Sequence, residues 1–381
     1  MLTIIPLRPT GRRRQVWLWL ALALLAAGCR GPGSPATTPP TLIVPAATPA
    51  AAINDPTPLP GSIAVLLPDD ALDSRWGSVD RPAFERCLTD AGAVFTLYSA
   101  GGDPATQAAQ AAEAIAAGAR VLLLAHVSNE AGAAVLATAR AEGIKVIDYD
   151  RLTTGGPGAD LYIGFDPLAV GRLMGETLAP FVRALPVARR NVVVLAGPAG
   201  DDTALLVAEG LRAVVEPYVS AGQWTLLADL TVADATAAQA ELATLLAGDA
   251  PVGAVLATDD VLAGAAAAAV SAAGLDPVRL TGRGATVPAL QRILAEQQTL
   301  TIYEPAKPLI GAACQAALAV LNGDEIVSLT TRAIDNGAGE VPFIRLSPIA
   351  VTADNLAETV VADGAASWAE ICVGAAAAAC P

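Results

Sequence analysis

The feature that most constrains this chain is an alternation that begins at residue 61, in which short apolar runs are separated by Ala-rich segments of helical spacing. The runs predict strands over residues 63–67, 94–98, 121–124, 145–149 and 161–165. A second round follows over residues 192–195, 225–230, 254–257, 279–282 and 300–303. Runs such as VLLLA and VVVLA are apolar at every position rather than at every other one. Both faces of such strands must be covered, as in parallel sheets flanked by helices. Two rounds therefore predict an α/β protein with two Rossmann-like lobes. With 381 residues and 54% of them hydrophobic, the chain can bury cores of that size.

The N-terminus is of a different kind. Arg12-Arg13-Arg14 precede an apolar run over residues 16–27 that closes in Leu25-Ala26-Ala27-Gly28-Cys29. Basic, apolar and then small residues make a secretory signal, and a run of about 12 is short for a membrane span, which needs about 20. The ending is similar to the lipobox of bacterial lipoproteins, although Leu25 stands four residues before Cys29 where three is usual. That similarity implies removal of residues 1–28 and a lipid on Cys29; the alternative is a plain secretory signal with an incidental Cys. Nine Pro fall within residues 30–60. Proline fixes φ and removes donors, so residues 29–60 are expected to be an extended tether that holds the body outside the cytoplasm, anchored to the membrane.

Composition narrows the function. Asp and Glu number 37 against 23 Lys and Arg, a net charge of −14, which argues against nucleic acid as a partner. His126 is the single histidine, and Lys145 and Lys307 are the only lysines. A His base or a His-rich metal site would have to run through one residue, so binding without metal or cofactor is expected rather than catalysis. In parallel α/β sheets, ligands bind at the carboxyl ends of the strands. The polar residues there are Asp69, Asp70, Arg75 and Trp76, then Asp150 and Arg151, then Asp201, Asp202 and Thr203, then Asp259 and Asp260, and finally Arg283 and Glu304. An acceptor beside a planar donor fork, as in Asp150-Arg151, with Trp76 as a flat apolar face, suits a hydroxyl-rich molecule such as a sugar. The competing structural reading is that each such Asp or Arg caps a helix or pairs across a loop. His126, after the third strand, is likewise more often held by a local hydrogen bond than by a ligand. Asp259-Asp260 as the acid pair of an exported hydrolase is disfavoured, because adjacent residues diverge whereas glycosidase carboxylates stand roughly 5 to 9.5 Å apart across the substrate.

Five segments carry a resemblance: SRW with the following Phe (residues 74–84), EGIKVIDYDR (142–151), LYIGFDPLAVG (161–171), GLRAVVEPYVSAGQW (210–224) and LTIYEPAKPL (300–309). In order and spacing they resemble the type I periplasmic solute-binding proteins, in particular the xylose-binding proteins of ABC sugar importers. The resemblance implies a monomer whose two lobes, joined by three crossings, close over one monosaccharide and deliver it to an ABC permease. On that plan lobe one is 61–165 plus 304–323, lobe two is 166–303 plus 324–361, and 362–381 is a tail without a reading. Arg75, Trp76, Asp150 and Arg151 match the family's sugar contacts in type. In lobe two the match to Asp202, Thr203, Asp259, Arg283 and Glu304 is looser. Thr203 and Asp259 stand where Asn is usual, Ala235 near a stacking Trp, Gly284 for an Asp and Glu304 for a Lys. A xylose-like or related monosaccharide is therefore expected, with a non-sugar polar or amine-bearing ligand drawn by the extra acids as the alternative and Trp224 as a replacement ring. A sensor of the same fold, signalling to a membrane receptor, is the alternative role. Cys87, Cys314, Cys372 and Cys380 allow three pairings. The family fold places Cys87 and Cys314 in lobe one, which favours their pairing, while Cys372 with Cys380 would close an eight-residue loop in the tail; the alternative for the first two is a pair of buried free thiols.

Overall fold

The computed structural model describes residues 61–71, 74–276 and 278–381; the signal sequence, Cys29 and the tether lie outside the described residues. The chain begins β1 (Ser62–Leu67), α1 (Arg81–Asp90), β2 (Phe95–Ser99), α2 (Pro104–Ala116), β3 (Ala119–Leu124), α3 (Asn129–Ala141), β4 (Lys145–Tyr149) and β5 (Leu161–Gly164). It continues through α4 (Pro167–Arg183), β6 (Asn191–Ala196), α5 (Asp202–Ser220), β7 (Thr225–Thr231), α6 (Ala235–Leu246), β8 (Val252–Ala257), α7 (Asp260–Ala272), β9 (Arg279–Thr281), α8 (Val287–Leu294) and β10 (Thr301–Tyr303). It ends with α9 (Ala306–Leu321), β11 (Ala333–Asp335), β12 (Glu340–Arg345), β13 (Ile349–Val351) and α10 (Trp368–Ile371).

These strands form two main sheets. Lobe one has the order β11-β12-β5-β4-β3-β1-β2, parallel except for β11, and lobe two has the parallel order β7-β6-β8-β9. Strand β10 pairs antiparallel with β13, and a bridge from Ile302 to Arg283 sets it beside the end of β9. Helix α9 packs on β3, β4 and β5. The chain thus passes between the lobes after β5, between β10 and α9, and between β12 and β13. The third passage corrects an expectation, since residues 324–361 do not all belong to lobe two. Residues 333–345 complete lobe one, with Phe343 paired to Tyr162, and the chain rejoins lobe two only at Ile349. The strand-helix alternation gave no warning of this, because β11 and β12 are a directly connected antiparallel pair and β12 carries Pro342.

The central strands are buried on both faces, as their composition requires, whereas the edge strands β2, β7 and β11 are only partly buried. In β1, Ile63, Val65 and Leu67 pack with Phe84, Leu309 and Cys314, while Ala64 and Leu66 pack with Ala111, Val135 and Leu136. The period of two sends alternate residues into separate layers. In β6, Val192 and Val194 likewise join one layer, and Val193 and Leu195 the other. Helices α4 and α5 cross at Gly171 and Gly210, where an added Cβ would lie 2.0 Å from the Val207 carbonyl oxygen and 2.2 Å from that of Leu168. Only glycine permits that approach. The helices mostly begin on polar caps: Asp103, Ser128, Asp166, Asp201, Asp234 and Asp259 each accept from a backbone N–H in the first turn. Five of the chain's 37 acidic residues therefore serve as helix caps.

Cys87 on α1 is bonded to Cys314 on α9, with 6.6 Å between their Cα atoms, and Cys372 to Cys380, with 5.9 Å. The tail is folded. Val360, Ala366 and Ile371 pack with Leu290, Tyr303 and Leu356, and Ser367 and Glu370 cap α10 reciprocally. The Asp363 carboxylate accepts the Tyr303 hydroxyl and pairs with Lys307 at 3.2 Å. Tyr303 ends β10 in lobe two and Lys307 begins α9 in lobe one, so this one residue ties both sides of the second passage.

Candidate functional site

A cavity of about 320 Å³ opens between the lobes at the strand ends, in the lower part of the range usual for small-molecule sites. From lobe one, His126, Ser128 and Asn129 after β3 and Asp150 and Arg151 after β4 line it. From lobe two come Asp201, Asp202 and Thr203 at the start of α5, and Arg283 after β9. Tyr162, Phe165 and Pro167 at the first passage and Glu304 at the second complete the wall.

Asp150 occupies a tight turn, with φ 66° and the Arg151 N–H donating to the Tyr149 carbonyl at 2.7 Å. Asp tolerates this left-handed conformation better than most residues. The turn aims adjacent acceptor and donor groups at the cavity. Arg75 donates to Asp150 at 3.2 Å, and to the fully buried Asp80 at 2.9 Å. Asp80 also accepts the Tyr149 hydroxyl. Burial works against the Arg75 cation, but the carboxylates of Asp150 and Asp80 outweigh it and raise its pKa. Burial raises the Asp80 carboxyl, with Arg75 opposing.

Across the cleft, Arg283 donates to Glu304 at 3.2 Å; burial raises the Glu304 carboxyl and the Arg283 charge opposes it. One hydrogen bond spans the cleft, from the Thr154 hydroxyl to Asp202. Asn129 holds Thr154 in place, accepting its N–H at 2.7 Å and donating to its carbonyl at 3.0 Å. The same loop is fastened by Asp148, which accepts the Thr153 N–H at 2.7 Å and its hydroxyl at 3.1 Å. Complete burial pushes the Asp148 carboxyl up to about 7, with the Thr153 bonds opposing. An unfolded Asp titrates near 4, so between about 4 and about 7 the folded state holds a proton that the unfolded state lacks. Folding stability is therefore expected to fall as pH rises through that window. Urea unfolding of the wild type against Asp148→Asn should show a shallower decline in the variant; equal slopes would contradict the buried neutral acid.

Of the residues expected from the sequence, Asp150, Arg151, Asp202, Thr203, Arg283 and Glu304 surround the cavity. Arg75 stands behind Asp150. The Trp76 ring, only 9% exposed, lies under the guanidinium groups of Arg75 at 4.4 Å and Arg151 at 5.4 Å and is not part of the wall. Its flat face serves the arginines. Asp259 follows the structural reading: one carboxylate oxygen accepts the Val261 and Leu262 N–H groups at 2.8 Å, capping α7 outside the cavity. Asp260 is turned inward and accepts from Thr301 at 2.7 Å, Thr286 at 2.9 Å and Gln298 at 3.1 Å. The two carboxyl groups do not flank a substrate. Trp224 stacks on Tyr218, with 4.1 Å between ring centroids, and is buried in the core rather than moved into the site. Gly284 has φ 121°, a conformation that favours glycine over the Asp that the resemblance implies there. Ser128, Asn129, Tyr162 and Phe165 were not singled out from the sequence. The strand-end rule reaches the first two, but Ser128 is also the cap of α3 and nothing in its type separates the roles.

A cavity between two α/β lobes, flanked by the chain passages and lined from both sides, defines a two-lobed binder of small polar ligands. Residues 63–325 match the model of the periplasmic binding protein domain. The chain belongs to this family of periplasmic binding proteins. Over 300 residues it is 33% identical to the D-xylose-binding periplasmic protein of Escherichia coli (strain K12), covering 78% of this chain and 88% of that protein. Among solved structures it is similar to an ABC transporter solute-binding protein of Clostridium phytofermentans with bound β-D-glucose, with TM-score 0.71, 26% identity and 81% and 99% of the two chains covered. A carbohydrate transporter solute-binding protein of Chloroflexus aurantiacus in complex with D-glucose gives TM-score 0.68, 25% identity and coverage of 81% and 97%. Membership of this family places the body on the extracytoplasmic side of the membrane.

Proposed function

We propose that the chain captures one monosaccharide in the interlobe cavity and delivers it to an ABC importer. Asp150 and Arg151 from lobe one, Asp202, Thr203 and Arg283 from lobe two, and Glu304 at the second passage are the groups assigned to the ligand, with Arg75 fixing Asp150. The carrying observation is that the carboxylates of the wall already accept hydrogen bonds within the protein: Asp150 from Arg75, Glu304 from Arg283, Asp202 from Thr154 and Asp201 from the Ala204 N–H. Arg75 and Arg283 pair with Asp150 and Glu304, which weakens the ground for an amine-bearing ligand, whereas Asp201 and Asp202 accept only from neutral groups. The remaining lone pairs and guanidinium N–H groups form a ring of acceptors and donors suited to hydroxyls. The named relatives, one binding D-xylose and two seen with glucose, support a sugar and an ABC transporter. The protein is a carrier rather than an enzyme, in keeping with these relatives. The signal sequence and Cys29 support a lipid anchor, with residues 29–60 as the tether and a monomeric body beyond it.

Thermal unfolding of the purified protein against pentoses, hexoses, their amino and acidic derivatives and polyamines tests this reading. A ligand at 100 times its Kd adds about 2.7 kcal/mol, enough to raise the midpoint by a few degrees. A selective rise with one neutral sugar is expected. A rise with amines alone, or with no sugar at all, would overturn the proposal.

A further inference from the structure

Among the described residues, one hydrogen bond joins the two lobes away from the chain passages, and it runs from the Thr154 hydroxyl of lobe one to the Asp202 carboxylate of lobe two. Asp202 lines the cavity and Thr154 does not, so the bond lies at the cavity's margin. The two groups are each other's partner. Among the described residues the Thr154 hydroxyl donates to nothing else, and no other group donates to the Asp202 carboxylate. The cap of α5 is Asp201, which accepts the Ala204 N–H at 2.9 Å, so that task does not fall on Asp202.

The loop that carries Thr154 is fixed from three directions, all within lobe one. Asp148 of β4 holds the N–H and hydroxyl of Thr153, and Asn129 of α3 brackets the Thr154 backbone on both its N–H and its carbonyl. Asn336, buried in the turn between β11 and β12, donates to the Thr153 carbonyl at 3.3 Å and to the Gly155 carbonyl at 3.1 Å. Its own carbonyl accepts the Gly155 N–H at 2.6 Å. Asp148, Thr153 and Asn336 are fully or almost fully buried and stand outside the cavity wall, so the loop is set by the core of lobe one and not by a ligand. A donor held in place beforehand gives up little freedom when it engages its acceptor.

We infer that Thr154 is a closure latch, whose hydroxyl bonds Asp202 when the lobes come together and so sets the balance between the open and the closed protein. Its effect on affinity rests on the sugar reading given above, whereas its effect on lobe separation does not. Both partners belong to the protein, so the bond asks nothing of the ligand and favours the closed form by the same factor whichever sugar is captured. Apparent affinity scales with the fraction of protein in the binding-competent form. A hydrogen bond to a charged group shifts an equilibrium by roughly 10-fold or more when desolvated. Thr154 and Asp202 are half-buried, so a shift of at least about 5-fold is expected.

Small-angle X-ray scattering of the purified, sugar-free protein tests the latch directly. Thr154→Val keeps the shape of the side chain and removes the donor, and is expected to show a larger radius of gyration than the wild type. Thr154→Ser keeps the donor and should match the wild type. Asp202→Ala breaks the same bond from the other lobe and should open the protein to the same extent, leaving Thr154→Val without further effect in the double variant. Calorimetry with the sugars found by the unfolding screen should show Kd rising at least about 5-fold in Thr154→Val, by a factor that agrees within about twofold from sugar to sugar. Thr154→Ser should restore the wild-type Kd. Scattering of Thr154→Val and Asp202→Ala that matches the wild type would overturn the inference while leaving the sugar reading intact. A loss of affinity confined to particular sugars would overturn it as well, by making Thr154 a ligand contact. Failure of every sugar to bind the wild type would overturn the sugar reading, and the scattering comparison, made without sugar, would still decide the latch.

Discussion

Alanine at position 150 is expected to abolish sugar capture, raising Kd at least about 100-fold, while the protein remains folded. Asp150 presents its carboxylate to the cavity and accepts from Arg75 at 3.2 Å. Its removal deletes an acceptor from the wall and frees one end of the Arg75 guanidinium, which keeps only Asp80. Truncating one member of a largely buried charge pair costs about 3–5 kcal/mol where burial is complete. Asp150 keeps some solvent contact, so a loss of stability below that range is expected. Alanine also bears a cost of roughly 1–2 kcal/mol in the left-handed conformation at φ 66°. Asp150→Asn keeps the turn and one carbonyl oxygen, and should fall between wild type and Asp150→Ala in affinity. Calorimetry gives the affinities and a thermal melt gives the fold; unchanged affinity in the alanine variant would sink the site assignment.

The second large effect concerns stability alone. Cys87 and Cys314 are separated by 227 residues in sequence and joined between α1 and α9. In the chain-entropy account, closing a loop of that length removes freedom from the unfolded chain worth about 5 kcal/mol. Cys87→Ser/Cys314→Ser is therefore expected to lower the unfolding midpoint by roughly 5–10 °C. Both cysteines lie on lobe one and neither lines the cavity, so affinity for the sugar should stay within twofold of wild type. A midpoint unchanged by the substitutions, together with two thiols titrating in the denatured wild type under non-reducing conditions, would instead establish free cysteines at these positions.

The strands of both lobes are legible in the sequence wherever each is followed by a helix, because burial on both faces writes an unbroken apolar run. Strands β11 and β12 are not, since β11 is only AID, β12 (EVPFIR) is charged at both ends, and no helix separates them. The site is legible as a place but not residue by residue. Two helices begin on the same dipeptide, Asp201-Asp202 at α5 and Asp259-Asp260 at α7, and in both the first Asp caps the helix. The second then diverges: Asp202 turns to Thr154 across the cleft, whereas Asp260 turns into the protein toward Thr301 and Thr286. The packing of each helix on its sheet sets that direction, and spacing along the chain carries no trace of it. Trp76 shows the same limit, because its type announces a flat face without saying that two arginines cover it.

The late return of the chain to lobe one also governs the order in which the protein can be made. Asn336 donates to the Thr153 carbonyl across 183 residues, and β12 lies against β5 just beyond it. A nascent chain has the first five strands of lobe one early, but the outer edge of β5 stays bare until Glu340–Arg345 has been synthesised. The sheet of lobe two, β6 to β9, is by then already complete in sequence and free to fold as a unit. Contacts of such long separation form slowly, so the β5 edge of lobe one is expected to be completed late. This topology delays the finished first lobe until almost the whole length has been translated.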